Sequence, residues 1–149
     1  MADPRGSAAT LLLRAAAEEA RALYPELHAA NASWPTNSPT PARGIYLIAY
    51  VDSRAAGMGA LRPIDERTAE VRRMYVLPLH RRFGVARLIL AELERRALDF
   101  GYRVLRLETG FRQHAALRLY GACGFRRIDA FAPYTDDPTS VCFEKSIVG

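Results

Sequence analysis

The spacing of apolar positions divides the chain into elements before any other property is considered. Over residues 8–24, Leu12, Ala16, Ala20 and Leu23 recur at helical spacing, Leu27 extends the row, and the Ala, Leu, Glu and Arg around them favour helix up to Pro25. Composition then shifts to Asn, Ser, Thr and Pro over 28–43, which predicts a loop; its one large apolar residue, Trp34, either pins that loop to the body or walls a pocket. Runs 45–51 and 56–62 read as strands of a hairpin around Asp52-Ser53-Arg54-Ala55, and 63–67 turns the chain into a third strand, 70–76, so an antiparallel meander is expected. Pro78 marks where that strand leaves its ladder, and a basic loop over 77–83 leads to a helix opening at Gly84. In it Val85, Ile89, Leu93, Ala97 and Phe100 share one face, and Gly101 is the stop. Strand 104–108 follows, making a strand-helix-strand unit whose strands pair in parallel. A second helix over about 113–123 turns Ala116, Leu119 and Tyr120 inward and ends at Gly124, and 125–128 and 140–145 are closing strands around a turn-rich loop, 133–138.

Size and composition narrow the class without choosing a function. A chain of 149 residues suits one domain with one substantial core, and 50% hydrophobic with 25% charged residues excludes a disordered or membrane-embedded chain. The aliphatic run Leu11-Leu12-Leu13 is cut short by Arg14 and Glu18-Glu19, so it is neither a signal peptide nor a span; a cytoplasmic protein with no membrane partner is expected. Cys123 and Cys142 lack metal-ligand spacing and are too few for a disulfide framework, so reduced, buried thiols and no metal site are expected. The net charge of +5 suits a polyanion or a phosphate-rich cofactor. No interleaved basic and aromatic stripe, zinc spacing or recognition helix is present, so nucleic acid is not an expected partner.

The stretch from Glu70 to Phe100 is the candidate ligand site. The first turn of a helix carries backbone N–H groups without intrahelical partners, and the helix dipole adds partial positive charge, so anions are favoured there. Arg81, Arg82 and Arg87 surround that turn, while Gly84 and the small Ala86 let backbone approach an oxygen closely. The plainer alternative is a glycine that merely starts a helix and arginines that solvate a surface.

Two blocks break that tie. Arg81-Arg82-Phe83-Gly84-Val85-Ala86 has the form Gln or Arg, two residues, Gly, one residue, Gly or Ala, and follows a strand ending at Val76 with Pro two residues on. Gln113, Ala116, Leu119-Tyr120 and Gly124-Phe125 form the second block, with Gln where Asn is commoner. In this order and spacing the chain resembles the GNAT superfamily of acyl-CoA-dependent N-acyltransferases over residues 45–149, in a bacterial subgroup with undefined acceptors. The resemblance implies an α/β (α+β) fold: a mixed, mostly antiparallel central sheet flanked by helices, with a parallel strand-helix-strand unit at the cofactor site. The family usually opens on a strand before its first helix, and here only a short polar leader precedes it.

The resemblance also implies roles. Acetyl-CoA is the co-substrate, its pyrophosphate held by Arg81, Arg82, Phe83, Gly84, Val85, Ala86 and Arg87, and its pantetheine arm paired with the strand edge at Met74, Tyr75 and Val76 as an added strand. Gln113 hydrogen-bonds that arm or caps its helix. An amine acceptor is protonated near neutral pH and needs a base; Glu108 is the candidate and Glu70 the rival. Tyr120 is the candidate acid for the leaving thiolate, and a backbone N–H at Val76 meets the oxyanion. Transfer is direct, without an acyl-enzyme at Cys123. Tyr134, Asp136 and Asp137 form a surface turn or an acceptor entrance. The expected activity is N-acetylation of a small or amino-acid-like primary amine by a monomer or homodimer; a protein N-terminal or lysine acetyltransferase and a non-catalytic acyl-CoA-binding module are the alternatives.

Overall fold

A computed structural model describes residues 1–28 and 32–148. Helix α1 (Ser7–Leu23) precedes a meander of β1 (Ile45–Val51), β2 (Arg54–Pro63) and β3 (Thr68–Val76). Then come α2 (Val85–Asp99), β4 (Val104–Gly110), α3 (His114–Ala122), β5 (Arg126–Ile128) and β6 (Ser140–Ser146). One sheet runs in the order β1-β2-β3-β4-β6-β5, antiparallel throughout except for β3 beside β4. Among the described residues no strand precedes α1, and the Ala2 amide instead donates to the Tyr46 carbonyl at the edge of β1.

The alternation along β1 divides the core. Ile45, Leu47 and Ala49 pack with Ile89, Leu93 and Ala97 of α2, while Tyr46 and Ile48 pack with Ala9, Leu12 and Leu13 of α1. The two helices therefore cover opposite faces. Of the predicted α1 row, Leu12 is fully buried, but Leu27 is 53% exposed because the helix ends at Leu23 and a short 3-10 turn redirects the chain. The hairpin turn is tighter than the sequence pattern suggests: Asp52 and Ser53 alone make it, both at positive φ, and β2 already starts at Arg54.

Gly59 lets α2 lie close against β2. A Cβ there would stand 2.6 Å from Ile89 Cγ2 and 2.8 Å from Met74 Sδ. Gly59→Ala is expected to cost about 1–3 kcal/mol through overpacking, read as a lower urea midpoint at unchanged slope; an unchanged midpoint would mean that α2 is free to retreat.

Residues 29–31 of the predicted 28–43 loop lie outside the described residues. Over the rest, Trp34 acts as the pin: the guanidinium groups of Arg14 and Arg21 on α1 stand 3.5 and 3.6 Å from its ring centre. The C-terminal end of α1 is also fastened to the segment after β4, where the Arg112 amide donates to the Tyr24 hydroxyl and the Arg112 guanidinium to the Leu23 carbonyl. These ties hold α1 across one end of the sheet. Among the described residues no helix is long and apolar enough to cross a membrane.

Candidate active site

The sheet splits where the site forms. Parallel pairing of β3 with β4 covers only Thr68 to Val71 against Val104 to Leu107. Beyond it β4 stays with β6 as far as Gly110 and β3 stays with β2 as far as Val76, so β3 is left with an unpaired edge. A bulge sharpens the split: Ala60 faces Arg72 and Met58 faces Tyr75, so Gly59 opposes both Arg73 and Met74, and Arg73 sits at φ 59°.

Backbone alternation decides what that edge offers. The Leu77 amide donates across to the Ala56 carbonyl, which turns the N–H and C=O of Val76 away from β2 and into the split. The Val76 carbonyl accepts from Arg81 Nε at 2.9 Å, leaving its N–H as a donor for a ligand. Met74 shares this outward orientation, whereas Tyr75 faces β2. Of the three predicted edge residues, the outer two thus present backbone and Tyr75 presents its side chain. The Tyr75 hydroxyl donates to Glu19, and burial, reinforced by that carboxylate, pushes its pKa up to about 12.

At the end of β3 the basic loop leads to α2. Gly84 is the N-cap residue, at φ 81°, and a Cβ there would meet nothing within 4 Å. Among the described residues no side chain caps this end, so the amides of the first turn remain available. Arg82, Phe83, Gly84 and Arg87 are exposed, Ala86 is half-buried, and Val85 turns into the core, so it contributes through its backbone. Arg81 is already engaged, bridging the Val76 carbonyl and Glu19 at 2.7 Å. It fastens the loop to α1, while Arg82 and Arg87 keep their charge toward solvent.

A cavity of about 520 Å³ opens between α1, the split and α3. Its walls bring together Glu70, Met74, Tyr75, Glu108, Gln113 and Tyr120, while Val76 and residues 81–87 lie outside that lining, at the end of β3 and the start of α2. Glu108 accepts a hydrogen bond from Ser140 Oγ at 2.6 Å through Oε2. Burial pushes its carboxyl above the usual range; the Ser140 hydrogen bond opposes this and the charges of Asp137 and Glu70 add to it. Glu70 is only 2% exposed and both of its oxygens are taken, one by Arg62 Nε at 2.8 Å and the other by the Tyr134 hydroxyl at 2.6 Å. Tyr120 is 5% exposed, with its ring against Phe125 and Phe143. Burial raises its phenol, as do the charges of Cys123 and Glu108, so it stays protonated at neutral pH. Gln113 occupies the N-cap of α3 without a side-chain capping bond, and its exposed amide is left for other partners.

The turn after β5 contributes more than a surface. Tyr134 lines the cavity, while Asp136 and Asp137 are both exposed and Asp137 holds Thr139. Sequence reasoning missed the Arg62–Glu70–Tyr134 chain, the Ser140 contact and the presence of Arg72 and Arg73 in the cavity wall. A signal existed for the last of these, because two adjacent arginines stand in the middle of a strand and two consecutive positions of an unbroken strand face opposite sides.

The model of the acetyltransferase (GNAT) family matches residues 13–125. The chain is 37% identical over 101 residues to the uncharacterised N-acetyltransferase YsnE of Bacillus subtilis, covering 66% of this chain and 67% of that one. A crystal structure of a Klebsiella pneumoniae protein assigned as an acyl-CoA N-acyltransferase superposes with a TM-score of 0.79 at 32% identity, over 99% of this chain and 96% of that one. A GNAT family acetyltransferase from Elizabethkingia anophelis, solved with acetyl-CoA bound, superposes with a TM-score of 0.61 at 20% identity, over 70% and 77% of the two chains, and supports the fold.

Proposed function

The chain belongs to the GNAT family of acetyl-CoA-dependent N-acetyltransferases, and on that premise we propose that it acetylates a primary amine of a small or amino-acid-like acceptor by direct transfer. The observation that carries this reading is the convergence of a buried phenol, a carboxylate of raised pKa and an unpaired strand edge on one split in the sheet. The co-substrate's shape fits the residues present: the open space over Gly84 and the free amides of α2 suit a diphosphate, with Arg82 and Arg87 supplying charge and Phe83 an exposed ring. The outward backbone of Met74 and Val76 suits an amide-bearing arm, with the Gln113 side chain on the opposite wall.

Acetyl-CoA supplies the thioester carbonyl. Glu108 takes the proton of the acceptor amine directly or through water; its raised pKa makes it a stronger base than an ordinary carboxylate. The Val76 N–H donates to the carbonyl oxygen as the amine nitrogen bonds to the carbonyl carbon. As the carbon–sulfur bond breaks, Tyr120 gives its proton to the departing sulfur, and the nitrogen of the adduct, which still carries two hydrogens and a positive charge, releases one that restores the phenol through water; the proton on Glu108 passes to solvent, so the products are the amide, the free thiol and one proton. Glu70 is assigned to holding Tyr134 in the cavity wall, with its other oxygen on Arg62 behind it, because its two oxygens are occupied.

Acetyl-CoA is expected to raise the thermal midpoint, and thiol release should depend on added amine. A midpoint shift without amine-dependent release would favour the binding-module alternative. Tyr120→Phe should lower kcat about ten- to a hundredfold at nearly unchanged acetyl-CoA affinity, because a thiolate is already a fair leaving group near neutral pH. Loss of affinity instead would make the ring a packing element only.

A further inference from the structure

Three carboxylates line the cavity, and two have their own arginine: Glu19 pairs with Arg81 and Glu70 with Arg62. The cavity's arginines are not matched in return. Among the described residues Arg72 has no hydrogen-bond or ion-pair partner, and Arg73 reaches only the neutral Asn37, at 3.1 Å. Both are half-buried. Burial lowers the Arg73 guanidinium, and the charge of the adjacent Arg72 lowers it further. The bulge puts both on the α1 side: both line the cavity, and the Asn37 that Arg73 reaches also donates to the Tyr46 hydroxyl on the face packed against α1. A half-buried pair of like charges with no bonded counter-ion among the described residues is costly for the free protein and is relieved by an anion.

We propose that Arg72 and Arg73 bind the carboxylate of the acceptor, so that the acceptor class is an amino acid or a similar amine carrying a carboxylate a few bonds from its nitrogen. This rests on the acetyl-transfer reading above and deepens it. Among the described residues Glu108 is the one lining carboxylate without an arginine of its own, and Arg72 acts on it without bonding it. An amine held at Glu108 therefore places a nearby carboxylate within reach of the guanidinium planes, which recognise it through two parallel hydrogen bonds. The strained φ of Arg73, 59°, is the local cost of putting both guanidinium groups on one side.

The test compares L-amino acids with their carboxamides and decarboxylated amines as acceptors at saturating acetyl-CoA. Wild-type protein should favour the acid over the carboxamide by about tenfold or more in kcat/KM. In Arg72→Gln that ratio should fall toward one while acetyl-CoA affinity, measured by calorimetry, is kept; Arg72→Lys should recover part of it. Equal use of acid and carboxamide by the wild type, or an equal loss of both in Arg72→Gln, overturns the proposal. A protein that fails to bind acetyl-CoA would sink the acetyl-transfer reading instead. Where no acceptor of the panel reacts, titration of N-acetyl amino acids into the protein, with CoA where it binds, decides: uptake lost in Arg72→Gln supports the arginine pair, and no uptake at millimolar concentration overturns it.

Discussion

Replacing Gly84 by glutamate is expected to abolish acetyl-CoA binding while leaving the protein folded. The two halves of that expectation have separate causes. A Cβ at this position meets nothing within 4 Å, so no neighbour is displaced. The φ of 81° disfavours any L side chain, at about 1 kcal/mol, but a carboxylate at a helix N-terminus recovers roughly 0.3–1 kcal/mol from the dipole of α2. The fold therefore loses little. For the ligand the same carboxylate is doubly unfavourable: it fills the space over the first-turn amides and sets negative charge against a diphosphate. Losing even one charge-assisted hydrogen bond costs roughly 1.5–3 kcal/mol, about a ten- to hundredfold loss of affinity, and the blocked amides and charge repulsion add to it. Calorimetric titration with CoA checks the affinity and circular dichroism the fold. Unchanged binding would move the diphosphate away from α2 altogether.

That glycine was legible because its role is local: a residue type, a helix start and flanking arginines suffice to mark it. The same holds for the elements, since each predicted strand and helix carries its own period and most ends fall within one or two residues of those observed. Parallel pairing of β3 with β4 followed from a helix lying between two strands. What stayed hidden is what depends on two distant segments meeting. Arg81 reads as an anion ligand from its place in the loop, yet it is held by Glu19, 62 positions earlier. Glu108 reads as the candidate base and Glu70 as its rival from their places in the strands, but how differently Arg62, Tyr134 and Ser140 hold the two acids is not legible there. The bulge at Arg73 is hidden for a third reason: no glycine marks its positive φ, so register had to be seen across from Gly59.

The difference between those two acids leads to the second large effect. Glu108→Gln is expected to lower kcat/KM by about 10²- to 10⁴-fold, the range of a lost general base. Glutamine keeps the shape, and its carbonyl oxygen still accepts from Ser140, so the cavity wall should survive. The pH dependence separates a base from a bystander. Burial raises the Glu108 carboxyl in the folded protein, and the base acts only when deprotonated, so wild-type kcat/KM should climb as pH rises through a value above the ordinary carboxylate range. In Glu108→Gln that limb should vanish, leaving only the rise from the acceptor's own deprotonation. Stability moves the opposite way. A folded-state pKa above the unfolded one means that the folded protein binds more protons, so Glu108 withdraws stability as pH rises from the unfolded value through the folded one. At neutral pH the neutral glutamine removes that burden, and the thermal midpoint should hold or rise while activity collapses. A variant that loses both together would show Glu108 to be a structural carboxylate, and the base would then have to be sought at Glu70 once Arg62 and Tyr134 release it.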